Sequence, residues 1–234
     1  INNDELAEIA AELAKPGCPL LMVGFNRRFA PFAVKLKSFL SGTGEPLAMH
    51  YRINASALPL SHWQHDPFVG GGRIIGEGCH FIDFLTYLVG SAPQSVYAVA
   101  LPDRGQYRQD NVTATFTFAD GSIGTVSYLA NGDKSFPKER VEVFSGGRVA
   151  ALDDFRTLEL VKDGRRSTER STLRQDKGHR AAWQAFLSSA QGGQPPIAYT
   201  DLLSVTQASF AVMESLRTGQ SVRIETPQVA DEEN

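Results

Sequence analysis

"GGGRIIGEGCHFIDFLTYLVG", residues 70–90, is the stretch on which the fold and the site both turn. Three glycines run into a segment that carries one histidine, Glu77, Asp83 and a closing glycine. A phosphate-cradling loop needs a buried strand leading in and a Lys-Ser/Thr ending, and this stretch has neither. Gly70, Gly72 and Gly76 do not make G-x-G-x-x-G either. The apolar residues have helical spacing instead: at about 100° per residue, Phe81, Phe84, Leu85 and Leu88 fall on one arc. His80, Asp83 and Tyr87 fall on another, at spacings of three and four. Asp83 is therefore expected to reach the His80 imidazole, fix its tautomer and raise its basicity, with Glu77 one turn earlier on the adjoining edge. A histidine so oriented is what proton removal from an alcohol near neutral pH requires. The same spacing also suits a structural hydrogen bond on a core helix, with the glycines serving only as a turn.

Upstream, residues 3–13 read as a short helix capped by Asn3 or Asp4, with Leu6, Ile9, Ala10 and Leu13 recurring at helical spacing. Lys15, Pro16 and Gly17 stop it. "PLLMVGF", residues 19–25, is a continuous apolar run of strand length, the kind a parallel sheet buries on both faces. Such a helix and strand look like the last αβ unit of a doubly wound fold, so the chain is expected to lack the rest of that unit's domain. Residues 30–40 read as an amphipathic helix with Phe32, Leu36, Phe39 and Leu40 on one face.

After residue 46 the character changes to strands: "LAMHYRINAS", "SVYAVALP", "NVTATFTFAD", "SIGTVSYLAN", "RVEVFSGG", "RVAALDD" and "TLELVKDG". Asp120-Gly121, Gly146-Gly147 and Asp163-Gly164 supply the turns. "TATFTF" alternates strictly, so Thr113, Thr115 and Thr117 line a polar face that is either solvated or laid against another subunit. Two helices close the chain. The first is expected to bury Ala182, Phe186 and Leu187, and the second to start at a Thr200 cap and end at Gly219. Strand runs flanked by helices argue α+β, with helices on one face of an open, mainly antiparallel sheet.

The composition excludes several classes. A net charge of -3 over 234 residues gives no basic field for nucleic acid or an anionic membrane. No apolar run approaches the roughly 20 residues that span a bilayer. No basic stretch followed by an apolar core opens the chain, and the expected location is the cytoplasm. Cys18 and Cys79, alone and far apart, read as reduced small hydrophobes.

Other polar groups can converge on the glycine stretch. "FNRRF" sets Asn26, Arg27 and Arg28 directly after the apolar run, where α/β sheets open their clefts; an arginine pair there also suits a surface of ion pairs. "SHWQHDP" supplies His62, Trp63, His65 and Asp66 in a loop. Trp63 reads as a stacking platform for a sugar ring or as a loop anchor. The two loop histidines lack a third spaced ligand, so no metal is expected. "DKGHR" adds Lys177 and His179 at a helix start, on what is otherwise a solvated face.

Taken together, "VGFNRRFAP", the glycine stretch with His80 and Asp83, the strand block and "AFLSSAQGGQPPIAYTD" resemble the Gfo/Idh/MocA family across essentially the whole chain. "HWQHDPFVGGGRIIGEGCHFIDF" looks especially like the branch joined to a zinc-alcohol-dehydrogenase-like half. The resemblance implies an N-terminal Rossmann domain binding NAD or NADP, followed by a domain with an open sheet that forms a dimer or tetramer interface. It also implies hydride transfer between the cofactor and a sugar, cyclitol or derivative. The family's proton-handling histidine falls on His80. The candidate set is then His80, Asp83 and Glu77 as catalytic, Asn26, Arg27, Trp63, Asp66 and Lys177 as substrate-binding, and Gly72 and Arg28 as cofactor-binding.

Two departures qualify the likeness. Many family dehydrogenases carry an Asp four residues before the histidine, where this chain has Gly76 beside Glu77. Neither G-x-G-x-x-G nor the family's Glu-Lys-Pro motif is present. The expected organisation is a Rossmann remnant over 1–25, a substrate and oligomerisation domain over 26–228, and an acidic tail over 229–234. Alone, the chain is expected to hold no dinucleotide and to be inactive, its partners being a sugar-like substrate, the missing Rossmann domain and a second copy of itself. A non-catalytic assembly module using the sheet face is the alternative.

Overall fold

The computed structural model describes residues 2–171 and 174–225, so the acidic tail expected at 229–234 lies outside the described residues. Its helices are α1 (Asn3–Leu13), α2 (Pro31–Leu40), α3 (Cys79–Val89), α4 (His179–Ala190) and α5 (Tyr199–Thr218). Its strands are β1 (Ala48–Asn54), β2 (Pro93–Ala100), β3 (Asn111–Phe118), β4 (Ile123–Leu129), β5 (Glu139–Ser145), β6 (Arg148–Asp153), β7 (Thr157–Lys162), β8 (Arg165–Arg170) and β9 (Val222–Arg223). They form one sheet in the order β8-β7-β6-β5-β1-β4-β3-β2-β9. Every pairing is antiparallel except β1 with β4, which the crossover through α3, β2 and β3 makes parallel.

Alternation in the strands decides which face is covered. On β1, Met49, Tyr51 and Ile53 are buried, and on β3 Val112, Ala114, Phe116 and Phe118 are. These side chains meet α2, α3 and α5, all on the same side of the sheet. From α3 come Phe81 and Phe84, whose rings meet that of Tyr51 edge-on at 5.1 and 5.5 Å. Each such ring contributes about 1.5–3 kcal/mol through burial alone. The opposite face is uncovered. Thr113, Thr115 and Thr117 stand there as the alternation foretold, and Thr115 shares a hydrogen bond with Thr125 at 3.0 Å. Tyr97, Val99, Ile123 and Phe144 are exposed on the same face.

Several expectations need correction. The α1 cap is Asn2, not Asn3 or Asp4: its side chain accepts from Glu5 N at 3.0 Å while the Glu5 carboxylate accepts from Asn2 N at 3.1 Å. Residues 19–25, expected as a strand of a doubly wound sheet, form no strand among the described residues, which hold no neighbour for them to pair with. The run lies along the protein, with the Leu21 N–H donating to the Tyr199 hydroxyl at 3.4 Å. β8 escaped the sequence reading because "RRSTER" has no apolar alternation; its pairing with β7 follows from the Asp163-Gly164 turn, and its charges blunt the sheet edge. Leu187 is exposed rather than buried, because α4 packs mainly along the turn at 26–29 and presents only a narrow line of contact. α5 starts one residue before Thr200, without a side-chain cap.

The decisive stretch begins with Gly71 and Gly72 at φ 68° and 87°, values that suit glycine. A π-helical turn, Ile74–Gly78, then leads directly into α3. Gly90, at φ 85°, closes α3 in the left-handed conformation.

Candidate functional site

The π turn and the first turn of α3 bring Glu77 and His80 to the level of three other segments. Asn26, Arg27 and Arg28 stand in a 3-10 turn (Asn26–Phe29) and are all buried. Lys138 and Glu139 come from the start of β5, and Lys177 comes from the approach to α4.

His80 meets the Phe25 ring edge-on at 5.5 Å, and its Nδ1 is buried with no hydrogen-bond partner. Burial, and next the Arg27 charge, push its pKa down to about 4, with Glu77 and Glu139 pulling back. The imidazole is therefore neutral at pH 7.

Asp83 does not orient it, which corrects the sequence expectation. Wholly buried, Asp83 spends Oδ1 on Arg28 Nη2 and Oδ2 on Arg28 Nε, the latter at 3.2 Å. The spacing of His80, Asp83 and Tyr87 is real, but the group it serves is Arg28, whose guanidinium also lies 5.5 Å from the Tyr87 ring centroid. A guanidinium offers a carboxylate two parallel donors, more than an imidazole can. Burial pushes Asp83 up to about 6 against the pull of Arg28, so it is ionised at pH 7. Arg28, with Asp201 at 3.2 Å on its other side, spends its donors on these two carboxylates.

Glu77 is equally committed. Its Oε2 accepts from Arg73 Nη2 at 2.9 Å and from the Tyr128 hydroxyl, and its Oε1 from Lys138 Nζ at 2.8 Å. Burial would raise its pKa, but Lys138, Tyr128 and Arg73 together hold it at about 2. A carboxylate so held stays ionised near neutrality and anchors Lys138.

Arg27 and Lys177 meet on Glu139. Arg27 donates from Nε to Oε2 at 2.7 Å and from Nη2 to Oε1 at 3.0 Å, and Lys177 Nζ donates to Oε1 at 2.6 Å. The Tyr51 hydroxyl completes the set. Burial opposes ionisation of Glu139, but Arg27 and Lys177 bring it to about 2. Asn26 joins the same segments by donating from Nδ2 to the Lys177 carbonyl at 2.7 Å.

The loop residues stay apart from this cluster. Trp63 is 59% exposed, stacked at a tilt on His62 at 5.7 Å. Asp66 caps its own loop, accepting from Phe68 N at 2.8 Å and Val69 N at 3.2 Å. Gly72 faces open space, where an added Cβ would meet nothing within 4 Å. Among the described residues no group of three His, Cys, Asp or Glu could hold a metal ion. Burial, and next Asp83, push the Cys79 thiol up to about 12, so it is inert.

Two concavities flank the cluster. A cleft of about 610 Å³ is lined by Asn54, Ser56, Lys134, Lys138, Asp154 and Arg156 among others. An apolar slot of about 240 Å³ is lined by Met22, Gly24, Asn26, His179, Trp183 and Phe186 among others.

The sequence reading missed Lys138, Glu139, Tyr51, Tyr128 and Arg73. A signal for Glu139 existed: it is in phase with Val141 and Val143, so an inward-pointing carboxylate could be read from "ERVEV".

A family model described as the GFO/IDH/MocA C-terminal domain matches residues 41–145. Residues 41–145 are thus similar to the C-terminal domain of the Gfo/Idh/MocA family. Among relatives, "Inositol 2-dehydrogenase 2" of Paenarthrobacter aurescens is 27% identical over 92% of this chain and 67% of its own length. The uncharacterised oxidoreductase YrbE of Bacillus subtilis is 30% identical over 65% of this chain, which covers 46% of it. Levoglucosan dehydrogenase, solved in complex with NADH and levoglucosan, superposes with TM-score 0.71 at 22% identity over 89% of this chain and 66% of its own. The chain thus spans between about half and two thirds of these relatives.

Proposed function

We propose that this chain is the substrate side of an NAD- or NADP-dependent oxidoreductase that passes hydride to or from a sugar, cyclitol or related polyol. His80 is its proton-handling group. The observation that carries the reading is a histidine at the head of a glycine turn whose buried Nδ1 has no hydrogen-bond partner, with the Arg27 and Lys138 charges bearing on it. The names of relatives, an inositol dehydrogenase and a levoglucosan dehydrogenase seen with NADH, support the substrate class and the cofactor.

A nicotinamide cofactor fits these residues only in part. His80 and the open ground over Gly72 suit a reactive ring and a substrate alcohol, but Arg28 is consumed by Asp83 and Asp201 and offers nothing to a phosphate. The cofactor would supply the hydride acceptor. The chain's own residues orient the substrate, through Lys138 and Lys177, and take the hydroxyl proton on the imidazole. The nucleotide body falls to a separate Rossmann domain, and the isolated chain is inactive on this reading. In a protein that includes that domain, His80→Ala should lower turnover with NAD or NADP and myo-inositol by about 10²–10⁴-fold. Near-normal turnover would remove His80 from the mechanism.

The uncovered sheet face favours a second, compatible role in self-association, through Tyr97, Val99, Ile123 and Phe144.

A further inference from the structure

Glu139 is a buried carboxylate on which three distant segments converge: the turn at 26–29, β1 through Tyr51, and the approach to α4 through Lys177. Arg27 alone would satisfy it, since its bidentate pair at 2.7 and 3.0 Å already uses both oxygens. Lys177 adds a second cation at 2.6 Å to a carboxylate that is already paired and buried. Two cations sharing one buried anion repel each other, so Lys177 gains the fold little as an ion pair. Its ammonium has three donors, and the Glu139 contact uses one. Its approach is fixed from behind as well, by Asn26 on its carbonyl. Asp154, with Oδ1 4.0 Å from Nζ, is beyond hydrogen-bond range. Arg27, for its part, lies 4.7 Å from the ring centroid of Phe81, the residue next to His80.

We propose that Glu139 is the positioning residue of this site: it clamps Arg27 beside His80 and holds the Lys177 ammonium so that its remaining N–H groups meet the substrate's hydroxyls. The proposal rests on the reading of His80 as the proton acceptor. The charged groups that bear on His80 are Arg27 from the 3-10 turn, Glu77 from the π turn, and Lys138 and Glu139 from β5, with the Phe25 ring on one side.

The test has two arms. In the first, histidine side-chain NMR of the 234-residue chain follows the His80 imidazole, picked out from the five histidines by its loss in His80→Gln. Glu139→Gln removes a neighbouring anion and should move the titration below its wild-type position by about half a pH unit or more. Glu139→Gln titrating as wild type would overturn the clamp. If Glu139→Gln fails to fold, Arg27→Met carries this arm by removing the clamped cation: an upward shift of the His80 titration supports the proposal, and no shift overturns it.

The second arm measures turnover of myo-inositol with NAD in a protein that also contains a nucleotide-binding domain. Lys177→Met should raise KM about tenfold or more with a smaller change in kcat. Unchanged KM overturns the role of Lys177 in presenting the substrate. Wild-type protein that turns over no polyol overturns the functional reading instead, and the NMR arm still judges the clamp.

Discussion

At the scale of single residues, charge state governs this site. His80, with its pKa lowered from 6.5 to about 4, refuses a proton that the unfolded chain accepts between those values. Its contribution to stability is therefore full above pH 6.5 and is lost as pH falls to 4, on the order of 3 kcal/mol. Asp83, raised from 3.8 to about 6, works with the opposite sign over nearly the same window. The difference between wild type and His80→Gln in urea denaturation at pH 7 and pH 5 isolates the histidine: only wild type should lose its contribution on acidification. Glu77 and Glu139, lowered from 4.5 to about 2, add a second loss as pH falls through that lower range. Asp83→Asn leaves the buried Arg28 with only Asp201, which is partly exposed, and should cost about 3–5 kcal/mol in denaturant unfolding. The place of His80 was legible from the spacing of "GEGCHFID". The partner of Asp83 was not, because local spacing says which side chains share a helix face and nothing about what arrives opposite them.

At the scale of elements, the pieces that bring charges together are short and irregular. Gly178 has φ 84°, and a Cβ there would lie 2.3 Å from the Asn26 carbonyl oxygen and 2.5 Å from Ala30 N. This close approach lets the segment before α4 rest on the turn at 26–29, placing Lys177 over Glu139. Gly178→Ala should destabilise by about 1–3 kcal/mol and release that segment. Hydrogen exchange at Ala182, whose N–H donates to the Gly178 carbonyl at 2.8 Å, reads the release. Seven strands were legible as alternating runs between glycine turns, because one covered face imposes a period of two. β8 and β9 were not, since an edge strand with little to bury carries no such pattern. The π turn before α3 was not legible either: its residues read equally well as a turn or as the start of an ordinary helix.

At the scale of the molecule, one sheet is covered on one side only. Exposed Tyr97, Val99, Ile123 and Phe144, among threonines already bonded to each other across strands, make a surface suited to a second sheet. Sedimentation should show a dimer or tetramer, and Ile123→Lys with Phe144→Glu should yield monomers that keep their fold. A wild-type monomer at high concentration would sink the assembly role. Residues 19–25 make the complementary point. Their composition is that of a doubly buried strand, yet no sheet neighbour exists for them among the described residues, and they form no strand.

The sequence alone determined the α+β class, the faces of its strands, the glycine turn into α3 and the position of His80. Each of these depends on contacts between near neighbours or on the burial of a repeating pattern. Only the tertiary structure decided which carboxylate pairs with which cation: Asp83 with Arg28, Glu77 with Lys138, and Glu139 with Arg27 and Lys177. The physical reason is that a buried charge takes the partner that desolvates with it. That partner comes from distant segments, 112 residues away for Arg27 and Glu139 and 173 for Arg28 and Asp201, which meet only when the fold has formed.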